Sequence, residues 1–365
     1  MNKIFSRWFS NKFSNPQAVV LAMFLLFGFA SILLLGDILN PLFVAIVLAY
    51  LLEWLVSGMQ NKGLPRLLSV NVVFISFIAV LLTTVFVLIP VVSSQLLGLV
   101  NELPTMLKQG QEKLLNLPVE YPEFVSEQQI QDVLRAITTE LGSIGQKAIS
   151  FSIDSLISIV ALAVYLILVP LLIFFMLKDK TLILDWAISW LPKERSMATR
   201  VWNEVNGQIG NYIRGKVAEI IIVGVVTYIT FSIMGLNYAL LLSILVGFSV
   251  LIPYIGAAVV TIPVVMIAYF QWGFTTDFWT VFIGYLIIQA LDGNLLVPIL
   301  FSEAVNLHPV AIISAVLLFG GIWGFWGVFF AIPLATLVKA VMSAWREIPQ
   351  AEEPEDELDQ SISEA

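Results

Sequence analysis

The sequence predicts an all-α integral membrane protein, and three observations predict it. Charged residues make up 12% of the 365-residue chain and apolar ones 59%, whereas a soluble domain carries about 25% charged residues to coat its surface. Apolar runs recur along the chain, and about 20 such residues let a helix cross roughly 30 Å of hydrocarbon. Lys and Arg gather in alternate loops, as they do on the cytoplasmic face of a membrane. Only helices satisfy their own backbone polar groups in lipid, so clean apolar runs are read as helices.

Taken in order, residues 1–92 form a cytoplasmic lead and three spans, near Ala18–Leu35, Leu39–Val56 and Ser69–Val92. Lys3, Arg7 and Lys12 before the first run resemble a signal peptide. That run is too long for one and no small-residue cleavage pattern follows, so it is read as a retained span. Residues 93–149 read as an extracytoplasmic helical cap of short amphipathic helices broken at Pro104, Pro118 and Pro122. Residues 150–177 supply the fourth span. Residues 178–216, with Trp186, Trp190 and Trp202 among charges, read as a cytoplasmic amphipathic segment along the interface. Residues 217–346 form a transport core. In residues 347–365, eight of the chain's 26 acidic residues fall between Glu347 and Glu364, which marks a disordered acidic tail. The net charge of -8 is therefore no guide to partners, and no basic stripe suggests nucleic acid.

Basic residues orient the chain. Lys62 and Arg66 share one loop, seven basic residues lie in Lys178–Lys216, and Lys339 and Arg346 end the apolar region. The turns near Asp37, Gly235 and Gly273 hold none. This places both termini in the cytoplasm and residues 93–149 outside.

Within the core, the spans Val217–Met234 and Phe278–Leu300 are clean, and each precedes an apolar region broken by Gly and Pro. The first, Tyr238–Gln271, carries Gly247, Pro253, Gly256 and Pro263; the second, Pro309–Val341, carries Gly320, Gly324, Gly327 and Pro333. Gly permits tight turns, and Pro removes a donor and ends a helix. The fold expected is thus six clean transmembrane helices plus two broken hairpins. If the hairpins are re-entrant, the C-terminal half is an inverted repeat with a binding site near the midplane. If they cross as pairs of short helices, the spans number eight or more.

Several stretches resemble the autoinducer-2 exporter family of bacterial membrane proteins. They are Phe174-Phe175-Met176-Leu177-Lys178-Asp179-Lys180, Arg214-Gly215-Lys216, Leu251-Ile252-Pro253-Tyr254-Ile255-Gly256, Gln289-Ala290-Leu291-Asp292-Gly293-Asn294-Leu295-Leu296-Val297-Pro298, Leu307-His308-Pro309 and the glycine-rich run to Ala331-Ile332-Pro333. The likeness extends from about Asn15 to Arg346. It implies a multi-span inner-membrane protein, a homo-oligomer of pentameric order, and export of a small signalling solute or sodium–proton antiport.

An ionisable residue at the bilayer centre costs at least about 2.5 kcal/mol, which makes it a functional candidate. Asp292 is the strongest, as a proton or cation carrier with Gln289 and Asn294 as polar neighbours; Gly293 and Pro298 would loosen the helix around it. Glu219 is a relay or an interfacial partner of Arg214 or Lys216. Glu53 reads as interfacial and Asp154 as a helix-start residue. His308 is a pH sensor or a loop residue at a helix start, sharing its loop with Glu303 and Asn306. Trp323, Phe325 and Trp326 are stacking surfaces or packing residues.

With one His and no Cys, the chain lacks thiolate and multi-His metal sites, and no phosphate-cradling or nucleophile motif occurs. No enzyme, cofactor or resident metal is expected. The function expected is a secondary transporter of a small polar solute, autoinducer-2-like by resemblance, driven by a proton or sodium gradient. The rival readings are a sodium–proton antiporter, a passive channel and a non-transporting scaffold or regulator.

Overall fold

The computed structural model of the protein describes residues 16–120, 128, 155–190, 196–253, 255–301 and 307–346. The N-terminal lead, the cap beyond Glu120 apart from Gln128, Asp154, Tyr254, the 302–306 loop with Glu303 and Asn306, and the acidic tail lie outside them. Every regular element among the described residues is helical.

Helix α1 runs from Pro16 to Gln60. Helix α2 (Arg66–Thr83), a π-helical turn (Thr84–Leu88) and α3 (Ile89–Glu120) follow as one continuous rod. Then come α4 (Ser155–Lys178), α5 (Lys180–Ser189) and the long α6 (Ser196–Ile233). Helices α7 (Ala239–Ser249) and α8 (Ile255–Trp272) occupy the first broken region. Helix α9 (Thr276–Leu291) continues through a second π turn (Asp292–Leu296) into α10 (Val297–Phe301). Helices α11 (Pro309–Phe329) and α12 (Ala331–Arg346) occupy the second broken region.

Among the described residues, six stretches are long and apolar enough to cross a membrane: Ile38–Gln60, Arg66–Glu112, Asn206–Ile233, Ile255–Trp272, Thr276–Phe301 and Pro309–Phe329. Their outward faces are apolar, with Ile75, Phe86 and Ile233 exposed by 67%, 71% and 82%. Such faces suit lipid contact.

Four expected breaks are not there. The turn near Asp37 is replaced by unbroken helix, with Pro41 inside α1; an apolar environment offers no water to a broken backbone, so the helix persists around a proline. Pro104 and Pro118 likewise lie inside α3. The boundary at residue 216 falls within α6, so the charged segment and the following span share one rod.

Both Gly/Pro regions are helical hairpins. At the base of the first, Gln271 Nε2 donates to Gly235 O at 2.8 Å, and Asn237 N donates to Gln271 Oε1 at 2.8 Å. At its tip, a Cβ on Gly256 would overlap the Ser249 carbonyl. Residues seven apart lie two turns apart along a helix, so this contact requires a reversal between α7 and α8. In the second, the reversal falls at Gly324, whose φ of 58° and ψ of -132° suit glycine. Beyond it a Cβ on Gly327 would overlap the Phe319 carbonyl, and Ala315 and Val316 pack with Ala331.

One apolar core joins α6 to the first hairpin and α9 through Val223, Phe231, Leu242, Val246, Val264, Val281 and Tyr285. Another joins α1, α2 and α4 through Ala45, Ala49, Val56, Val70 and Ile173. A third brings Val47, Tyr212, Leu251, Phe301, Phe329 and Ile332 together and links the two halves. The helix-then-hairpin unit does occur twice, but the copies are packed differently. The first hairpin lies along its own leading helix α6, whereas the second packs on α6 through α12 rather than on α9.

Candidate functional site

Helix α6, the first hairpin tip and the second π turn converge on a cavity of about 290 Å³. Its polar lining is Tyr212, Lys216, Glu219, Gln289 and Asp292, with Val250, Pro253 and Ala257 from the tip and Ile332 from the second hairpin. The sequence explains why these meet. Tyr212, Lys216 and Glu219 lie at i, i+4 and i+7, one face of α6. Gln289 and Asp292 are three apart and share a face of α9 as it enters the π turn.

The π turn follows from its composition. Val297 N donates to Asp292 O, five residues back, and the next residue is Pro298, which has no N–H to give. The other π turn has the same arrangement: Ile89 N donates to Thr84 O, and Pro90 follows. The loosened helix expected around Asp292 is therefore a π bulge, a feature frequent at functional sites.

Lys216 is the best-connected side chain in the cavity. Its Nζ lies 2.7 Å from Glu219 Oε2, donates to Val250 O at 2.8 Å, and sits 5.2 Å from the centre of the Phe301 ring. Both members of the pair are buried. Two other cavity groups are not satisfied in this way. Asp292 Oδ1 and Gln289 Nε2 are buried, and neither has a hydrogen-bond partner.

The other residues singled out from the sequence are placed as follows. Asn294 points its amide at Ala290 O, 2.8 Å away, and does not line the cavity. Pro298 is exposed beside the bulge. His308 caps α11, its Nδ1 accepting from Val310 N at 3.3 Å, and is exposed outside the cavity. Gly247 lies within α7, where a Cβ would meet Ile220 O at 2.9 Å and Gly224 Cα at 3.2 Å; it permits close packing on α6 rather than a turn. Pro263 lies inside α8, Gly320 in the first arm of the second hairpin and Pro333 in its return arm. Glu219 pairs with Lys216, while Arg214 donates to Asn211 Oδ1 at 2.9 Å. Trp323 packs edge-on against Phe43 of α1.

Tyr212 was not singled out from the sequence, and Lys216 was named only as one of two interfacial partners for Glu219. The signal was there, since a Lys three residues before a Glu at the start of an apolar run can pair within the helix. The positive-inside reading placed Lys216 at the end of the cytoplasmic amphipathic segment, at the interface rather than in a cavity.

Along α6 the cavity lies near the middle of the helix, Lys216 standing twenty residues after Ser196. Seventeen residues separate Lys216 from Ile233 at the end of α6, and sixteen separate Thr276 from Asp292. At 1.5 Å per residue each is about 25 Å, so the site sits deep, away from the Gly235 and Gly273 turns.

Two further polar assemblies flank it. At the hairpin base, a second cavity of about 340 Å³ is lined by Glu102, Thr105 and Gln109 of α3 and by Asn237, Tyr238 and Gln271. There Leu241 N donates to Gln95 Oε1 at 2.9 Å. At the opposite end, Glu53 takes Arg66 at 3.2 Å through both oxygens and Lys180 at 3.0 Å, and Arg66 also donates to Leu177 O. This ties α1, α2, α4 and α5 together.

The same chain is similar to known proteins along most of its length. The protein-family model described as AI-2E family transporter matches residues 21–347. A protein of Escherichia coli strain K12 named "Putative permease PerM" is 49% identical over 345 residues, covering 94% of this chain and 98% of its own. In Bacillus subtilis strain 168, "Putative transport protein YueF" is 27% identical, covering 85% of this chain and 84% of its own. "Putative transport protein YrrI" of the same strain is 28% identical, covering 85% and 87%. With the family match extending across both hairpins and every helix that lines the cavity, the chain belongs to the AI-2E transporter family.

Proposed function

We propose that this protein is a secondary transporter that moves a small polar solute across the bacterial inner membrane. The cavity between α6, the first hairpin tip and the second π turn is its binding site, and Asp292 takes up the coupling ion. The observation that carries the reading is the pair of buried, unbonded groups on one cavity, the acceptor Asp292 Oδ1 and the donor Gln289 Nε2. A buried polar atom without a partner is destabilising by roughly 1–3 kcal/mol, and a carboxylate in this setting is retained for use. The names of the similar proteins, permease and transport protein, point the same way. Absence of any nucleotide-binding motif in the sequence leaves an ion or solute gradient as the energy source.

A sodium–proton antiporter is the second reading, favoured by the two carboxylates, Glu219 and Asp292, on the same cavity. Both readings are tested in one design. Purified protein is reconstituted into liposomes carrying imposed proton or sodium gradients. Uptake of candidate solutes, autoinducer-2 among them, is followed alongside internal pH. Gradient-driven solute flux supports the exporter, and sodium-driven pH change without solute supports the antiporter. Asp292→Asn is expected to abolish either coupled flux while keeping expression and elution volume. Wild-type coupled flux in that variant would remove Asp292 from the mechanism.

A further inference from the structure

The tip of the first hairpin closes one side of the cavity, and two hydrogen bonds from neighbouring helices hold it there, Tyr285 Oη of α9 to Ala257 O at 3.2 Å and Lys216 Nζ of α6 to Val250 O. Val250 is the C-cap of α7. The last carbonyls of a helix have no partner within it and need outside donors. For Val250 that donor is Lys216 of α6, at 2.8 Å. Among the described residues this is the hydrogen bond that ties residues 250–253 to another helix; the others at the tip, such as Leu251 N to Phe248 O and Ile252 N to Ser249 O, stay within the hairpin. The remaining hold on residues 250–253 is apolar, Leu251 clustering with Phe329 and Ile332 and Ile252 with Ala315 and Ala331. Lys216 itself is fixed by Glu219 and rests against the Phe301 ring.

We propose that Lys216 is a positioning residue for the transport site, a latch whose bond to the Val250 carbonyl holds the hairpin tip closed over the cavity. This rests on the transporter reading for its purpose but not for its test. Without the ammonium, the Val250 carbonyl is buried with no donor, and it regains one only where water reaches it. The tip meets that need by lifting from α6, which opens the cavity. Glu219 orients the ammonium; the donation to Val250 performs the closure.

The chain contains no cysteine, so a single Ala257→Cys on the cavity wall reports accessibility without background. The full chain carrying it is reconstituted, and its rate of modification by a charged methanethiosulfonate is measured in three backgrounds. Removing Lys216 alone leaves Glu219 buried and unpaired, which can prevent folding. The comparison is therefore between Glu219→Gln, in which the ammonium keeps two neutral acceptors, the introduced amide oxygen and Val250 O, and the Phe301 ring, and Lys216→Met/Glu219→Gln, which removes both charges together. Both are first shown to elute as one monodisperse species. The expected result is a labelling rate close to the unsubstituted protein for Glu219→Gln and at least tenfold faster for the double variant. Lys216→Arg/Glu219→Gln, which restores a donor, returns the rate toward the slow value. Equal labelling in all backgrounds, or fast labelling in Glu219→Gln alone, overturns the latch. Labelling needs no solute, so failed transport with a working latch, and working transport with no latch, are separate outcomes.

Discussion

Two carboxylates on apolar helices have opposite surroundings here. Glu53 is saturated: both oxygens meet Arg66, one meets Lys180 at 3.0 Å, and Ser57 donates from 3.4 Å. Asp292 keeps one buried oxygen without a partner beside a cavity. A saturated carboxylate holds structure, and an unsaturated one is available to a ligand. Glu53→Gln is therefore expected to lower stability by roughly 1–2 kcal/mol, discounted from a fully buried pair because Arg66 and Lys180 keep access to water. The check is the melting temperature of the detergent-solubilised protein, with flux per folded molecule preserved; an unchanged melting temperature would deny Glu53 its structural role. Asp292 and Gln289 were legible in the sequence because polar residues stand out in an apolar run. Lys216 was legible only as one of two partners for Glu219, because Arg214 and Lys216 both stand just before their apolar run, and only the hairpin folding back shows which one is buried.

Composition foretold the hairpins and misplaced other breaks, and the difference lies in what each proline has beside it. Pro253 stands in a tip where Gly256 lets the chain pass against Ser249, and Pro333 follows the Gly324 reversal by nine residues. Pro41, Pro104 and Pro118 have no such glycine in a reversing conformation and remain in continuous helix. Pro90 and Pro298 have a third outcome, a π turn directly before them. A proline leaves the carbonyl four residues back without its donor and crowds it, and one wider turn relieves both effects. Pro298→Ala restores the donor and is expected to let residues 292–298 tighten toward α-helix. That would turn Asp292 and Gln289 relative to α6. Slower amide hydrogen exchange across 292–298, together with reduced flux, is the expected outcome. Unchanged exchange would show that Gly293 or the surrounding packing, rather than Pro298, sets the bulge.

At the scale of the whole molecule, two polar assemblies mark opposite ends. The Glu53–Arg66–Lys180 knot gathers the Lys62 loop and the Lys178 turn at one end. The Gln95, Glu102 and Gln271 contacts gather α3 and the hairpin base at the other. These are the same two groups of loops that Lys and Arg separate in the sequence. Geometry thus separates the Lys62 loop and the Lys178 turn from the base of the first hairpin, as charge does. Continuous α1 alters one consequence: its two ends lie at opposite ends of a single rod, so a shared side for the N-terminal lead and the Lys62 loop no longer follows from a turn at Asp37. The loop assignments themselves do not depend on that turn. They require that Asn61 and Asn237 face opposite compartments. In a chain without native cysteine, Asn237→Cys is expected to react with a membrane-impermeant thiol reagent in spheroplasts with the inner membrane intact. Asn61→Cys is expected to react only after that membrane is opened. Both residues reacting from one side would mean that the knot and the hairpin base share a face. If that side is the cytoplasm, the hairpin does not enter from outside; if it is the outside, the Lys62 loop loses its cytoplasmic placement.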